Sequence, residues 1–135
     1  MNDFDKGSYK NLIVWQKAMD LVDAVFDITE QYPKEHRYGI AAHTEKTTVS
    51  IPSNIAEGRR RGGDAEFRRF LSIAYGSGAE LETQIEIAKR RLWGKNLDFT
   101  KIDKLLDEVM RMLNTLISQI SKRTTALPAT ALPAN

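Results

Sequence analysis

Residues 64–92, DAEFRRFLSIAYGSGAELETQIEIAKRRL, decide the fold. Within them Phe67, Leu71, Ala74, Gly78, Leu81, Ile85, Ala88 and Leu92 recur at steps of four and three without a break. That spacing places them on one face of a long helix, in the seam pattern of a bundle rather than the alternation of a strand. Asp64, after Gly62-Gly63, is a predicted N-cap, and Gly94 is a predicted stop. One apolar stripe cannot bury itself, so this helix requires partners.

The rest of the chain supplies three. Val14, Ala18, Leu21, Val25 and Ile28 predict a helix over about residues 12–32, ending before Pro33, with Val22 and Phe26 widening its stripe. A weaker stripe of Ile40, Ala41, Thr44, Thr48, Ile51 and Ile55 predicts a second helix from about Tyr38 to Gly58 or a little beyond. Pro52 lies inside it, but the stripe keeps its register across the proline, so one kinked helix is expected and not two. Ile102, Leu106, Val109, Leu113, Leu116 and Ile120 predict the last helix, over about residues 100–122. Thr100-Lys101-Ile102-Asp103 reads as its capping box. The predicted fold class is therefore all-α, an antiparallel up-down-up-down four-helix bundle with a Pro-kinked second helix.

The domain organisation follows: a flexible N-terminus over residues 1–8, the bundle over 9–122, and a disordered tail over 123–135. The tail repeats TALPA at Thr125–Ala129 and Thr130–Ala134, and two prolines five residues apart argue against a continuous helix there.

Composition narrows the function. With 41% hydrophobic and 28% charged residues, the 135-residue chain reads as a folded globular domain. Its 20 Lys+Arg against 18 Asp+Glu leave +2, so any polyanion affinity must come from local clustering. The absence of cysteine removes disulfides, thiolate metal sites and cysteine nucleophiles. No apolar run long enough for a membrane span or a signal peptide is visible, so a cytoplasmic location is expected, with no membrane partner.

Candidate sites are few. His36 and His43 are seven apart, not the three or four of helical metal ligands, so no metal is expected. Tyr75-Gly76-Ser77-Gly78 lies mid-helix and lacks the strand-to-helix turn of a nucleophile elbow. Its glycines are better explained by close approach of another helix. No catalytic residue and no cofactor are assigned. Asn54, Glu57, Ser77 and Glu80 are expected to form a polar network that fixes helix register. Arg59, Arg60 and Arg61, flanked by glycines, with Arg68 and Arg69 nearby, form a candidate phosphate-binding cluster in the loop after the second helix. These arginines show no aromatic interleaving like that of a stacking platform. Lys89, Arg90 and Arg91 fall at the opposite pole. Ile73 and Ile87 lie off the core stripe and, with Trp15 and Trp93, suggest contact between subunits.

Several stretches carry a resemblance: Leu12 to Ala18 (LIVWQKA), Tyr32-Pro33, Ser50 to Gly58 (SIPSNIAEG), and Phe67 to Ser77 running into Ala79-Glu80-Leu81-Glu82. Over about residues 9–122 the chain resembles the bacterial four-helix bundle proteins encoded in intervening sequences of 23S rRNA genes. Gly78 and His43-Thr44-Glu45-Lys46 depart from that pattern. The resemblance implies a ring-shaped homopentamer of unestablished molecular function. It also implies similarity to accessory proteins of diversity-generating retroelements, which engage RNA and a reverse transcriptase. The expectation is a non-enzymatic homo-oligomer that binds RNA or another polyanion through its arginines. The alternative is a protein-interaction scaffold with no nucleic-acid role.

Overall fold

The structure, a computed structural model, describes residues 8–131, with side chains through residue 124. Residues 1–7 of the expected flexible N-terminus lie outside the described residues, as do 132–135. Four helices carry the fold: α1 (Ile13–Thr29), α2 (Ala42–Arg61), α3 (Asp64–Arg90) and α4 (Thr100–Ala131). Among the described residues there is no strand. Each helix packs against the next, and α1 closes on α4.

The predicted stripes are the core. Val14, Ala18, Leu21, Val25 and Ile28 of α1 are buried, as are Thr44, Thr48, Ile51 and Ile55 of α2. They meet Leu71, Leu81 and Ile85 of α3 and Ile102, Val109, Leu113 and Ile120 of α4. Removing such side chains from water is the main term favouring the folded chain. Leu92 is the exception: α3 ends at Arg90, and Leu92 is 83% exposed beyond it.

α2 is rich in residues that disfavour helix, and several of their polar groups bond backbone carbonyls one turn back, whereas the Thr48 hydroxyl is buried without a partner among the described residues. Thr44 and Thr47 hydroxyls donate to the carbonyls of Ile40 and His43, four residues back. Around Pro52, the Ser50 hydroxyl donates to Thr47 O at 2.6 Å and Asn54 Nδ2 to Ser50 O at 2.7 Å. These bonds turn would-be helix breakers inward on their own backbone. Pro52 therefore sits inside one continuous helix. α2 begins later than Tyr38, because residues 34–41 form a 3-10 turn and a π turn in which Gly39 is not helical.

Between α2 and α3 the chain reverses in two residues. Gly62 and Gly63 have φ of 73° and 83°, which side chains beyond glycine rarely tolerate. Gly63, not Asp64, is the N-cap, and Asp64 opens the helix, where its charge complements the dipole. The start of α4 is capped by Asp98, whose Oδ1 accepts from Thr100 N at 2.9 Å. The Thr100 side chain first, and this backbone bond second, hold the Asp98 carboxyl below its ordinary range. The expected capping box is absent: Asp103 instead takes Lys89 of α3 at 2.8 Å. At the other end, Asp64 accepts from Arg123 of α4 at 3.0 Å.

α4 runs to Ala131, past the end expected near Lys122. Pro128 costs one backbone donor, and the neighbouring Ala and Leu residues favour helix.

Candidate nucleic-acid interface

The arginine triplet is not a loop. Arg59, Arg60 and Arg61 form the last turn of α2, and the two glycines begin after them. A helix C-terminus is where cations are favoured by the dipole, so the triplet helps end the helix as well as exposing charge.

Each guanidinium of the triplet lies over an aromatic ring. Arg59 is 5.8 Å from the centre of Phe67, Arg60 5.5 Å from Tyr9, and Arg61 5.1 Å from Phe70. Arg69 covers the same Phe70 ring at 4.4 Å. Tyr9 in turn packs edge-on against Trp15 at 5.3 Å. These rings lie beneath the guanidinia and do not make an open stacking platform. The rings come from the turn before α1 and from α3, and Phe67 and Phe70 are buried. They serve as a floor that orients the guanidinia, each contact contributing about 0.5–1 kcal/mol at an exposed site.

The five arginines are not equally free. Arg61 pairs with Glu57 at 3.0 Å, and Arg69 donates to Glu66 at 2.9 Å. The Arg69 hydrogen bond, helped by the charges of Arg69 and Arg61, holds the Glu66 carboxyl below its usual range. Arg68 points toward α4, where its Nε donates to the Ser121 hydroxyl. Arg59 and Arg60 are exposed and have no carboxylate partner among the described residues.

The other predicted groups are scattered. Asn54 bonds its own helix, Glu57 is exposed and takes Arg61, Ser77 is half-buried and Glu80 is exposed. No hydrogen bond joins any two of the four among the described residues. Of the mid-helix glycines, Gly78 meets the end of Met110 from α4, as close helix approach requires, but Gly76 faces open space. Gly76 lies on the outer side of α3 with Ile73 and Ile87, 41% and 44% exposed. Trp15 and Trp93 are spent inside the chain, against Tyr9 and against Tyr32 and His36.

Among the described residues no group of three or more His, Asp or Glu could hold a metal ion, and no helix is long and apolar enough to cross a membrane. A groove of about 700 Å³ runs between the start of α1 and α4, floored by Leu12, Val14, Met112 and Leu116 and edged by Lys17 and Glu108. These two edges pair at 3.4 Å.

No curated protein is similar enough to this chain to count as a relative. The family model described as 23S rRNA-intervening sequence protein matches residues 10–115, from the turn that carries Tyr9 to the middle of α4. The chain belongs to the 23S rRNA-intervening sequence protein family.

Proposed function

We propose that this protein is a non-enzymatic homo-oligomer that binds RNA or another polyanion at the α2–α3 pole. The observation that carries this reading is the state of Arg59 and Arg60: exposed, oriented by rings beneath them, and without carboxylate partners among the described residues. Guanidinia held this way lose little freedom when they meet a phosphate, and the planar fork suits its oxygens. Arg61, Arg68 and Arg69 supply supporting positive potential.

Self-association is part of the same proposal. The outer side of α3 leaves Ile73, Gly76 and Ile87 uncovered, and Ile13 beside the α1–α4 groove is 60% exposed. Such surface is available to another subunit. The family resemblance suggests a pentamer, which would repeat the arginine pole around a ring and join weak contacts through effective concentration.

A second reading is supported by a specific observation. Arg61, Arg68 and Arg69 already have partners within the chain, which suits a protein-only scaffold whose arginines stabilise one pole. The experiment that separates the two is fluorescence anisotropy with labelled RNAs of unrelated sequence. Replacing Arg59, Arg60 and Arg61 with alanine should weaken binding to all of them alike, since phosphate contacts carry no base readout. Absence of RNA binding by the wild type at low salt would select the scaffold.

A further inference from the structure

The opposite end of the bundle carries a second basic surface, whose cations have no carboxylate partners among the described residues. The turn Lys34–His36 and the turn Trp93–Asn96 meet there: the Trp93 ring lies 4.6 Å from Tyr32 and 5.3 Å from His36. That contact gathers Lys34, Arg37, Arg90, Arg91 and Lys95, all exposed. None of the five has a carboxylate within ion-pair distance among the described residues. Lys89 beside them is committed to Asp103 and Glu86, at 2.8 and 3.1 Å. The bordering acids are Glu30, Glu35, Glu45 and Asp98; Glu45 accepts from the Thr29 hydroxyl at 2.6 Å and Asp98 is occupied in capping α4.

Two further side chains mark this surface. Tyr38 is 90% exposed and Leu92 is 83% exposed, the two most exposed large hydrophobic side chains among the described residues. Lys34 and Arg37 precede the start of α2, where the helix dipole disfavours cations, so helix-end electrostatics do not account for them. Like charges without carboxylate partners among the described residues, at the same end of the bundle as a bare aromatic ring, are unfavourable on both counts without a ligand. The ligand that answers both brings phosphates to the bases and flat rings to the tyrosine. An acidic peptide would answer the charges alone.

We infer that this end of the bundle binds single-stranded nucleic acid, with Tyr38 as the stacking ring and Arg37, Arg90 and Arg91 as phosphate contacts. The 27 residues of α3 separate it from the arginine triplet by about 40 Å, so it is a distinct site and stands whether or not the triplet binds.

The test is fluorescence anisotropy of the full chain with a labelled oligouridine at low salt, with melting curves confirming that each surface variant is folded. Tyr38→Ala should weaken binding roughly five- to a hundredfold, and Tyr38→Phe should retain it, because stacking needs the ring and not the hydroxyl. Replacing Arg37, Arg90 and Arg91 with glutamine should flatten the slope of log affinity against log salt by about 2, at about 0.7 per contact. Unchanged binding in either Tyr38→Ala or the glutamine variant would overturn the inference, as would competition by polyglutamate as effective as by unlabelled oligouridine. Binding lost on removing Arg59, Arg60 and Arg61 but kept in the glutamine variant would overturn it while leaving the α2–α3 site standing. The reverse pattern would support it and dismiss the triplet.

Discussion

Gly58 of α2 lies so close to Phe70 of α3 that a Cβ on the glycine would stand 2.6 Å from the Cβ of Phe70. The obstructing atom is fixed to the α3 backbone, so the two helices would have to separate. Gly58 thereby sets the spacing of α2 and α3 immediately before the arginine triplet.

Gly58→Ala should therefore destabilise the protein, although alanine is the better helix former. Overpacking costs about 1–3 kcal/mol, against a helix-propensity gain of about 1 kcal/mol. Gly76→Ala, which meets open space within its own chain, should show the gain, up to about 1 kcal/mol, in the unassembled subunit. Urea unfolding of the two variants checks this. Equal effects would mean that the α2–α3 spacing is not set by Gly58.

Core and off-core leucines should separate as sharply. Leu81→Ala and Leu113→Ala remove fully buried side chains and should each cost about 2–5 kcal/mol. Leu92→Ala, although on the same seven-residue period, should change stability by less than about 0.5 kcal/mol. A large loss at Leu92 in the isolated protein would show that it is covered by something in solution.

The stripes were legible in the sequence because each core position repeats a demand for burial. The ends were not. Leu92 keeps the period but follows Arg90, where α3 stops and a 3-10 turn with Gly94 takes over. Residues 34–41 carry too little apolar pattern to reveal a 3-10 turn followed by a π turn. At the arginine pole the cluster itself was legible as a run of like charges. Its aromatic floor was not, because Tyr9 reaches Arg60 across some fifty residues of chain, a tertiary contact. The polar network failed for a local reason: Asn54 has a satisfactory acceptor in Ser50 O, and Glu57 has Arg61 one turn on. Neither needs a partner on α3.

Alkaline pH should expose the one strongly shifted group among the described residues. Burial pushes the Tyr32 hydroxyl up from 10.0 to about 12, and it has no hydrogen-bond partner among the described residues. The unfolded chain loses this proton first, so between pH 10 and 12 the folded state holds more protons and stability falls as pH rises. The loss over that window is about 3 kcal/mol. Burial lowers Lys89, but its bonds to Asp103 and Glu86 outweigh this and raise it. Its contribution is likewise full below 10.5 and lost as pH rises through the higher folded value. Tyr32→Phe should remove the tyrosine part of the alkaline slope and leave neutral-pH stability the same or higher. Denaturation at several pH values measures it, and an unchanged slope would place Tyr32 in contact with solvent.

Light scattering should give a mass near five times 15.3 kDa if the proposed ring forms. Ile73→Glu with Ile87→Glu should reduce that mass without unfolding the bundle, since both side chains lie outside the core. A monomeric wild type would refute the ring. An undisturbed oligomer in the double variant would move the interface elsewhere, with the α1–α4 groove the next surface to alter.

The most direct test of the proposed function is the salt dependence of RNA binding by the wild type beside the Arg59→Ala, Arg60→Ala variant, titrated by anisotropy at about 50 mM and about 200 mM salt. Each phosphate contact releases counterions and contributes about −0.7 to the slope of log affinity against log salt on single strands. Two arginines per subunit without carboxylate partners among the described residues predict that the variant's slope is shallower by about 1.4 for each subunit engaged. Identical slopes for the two proteins would contradict phosphate binding at the α2–α3 pole.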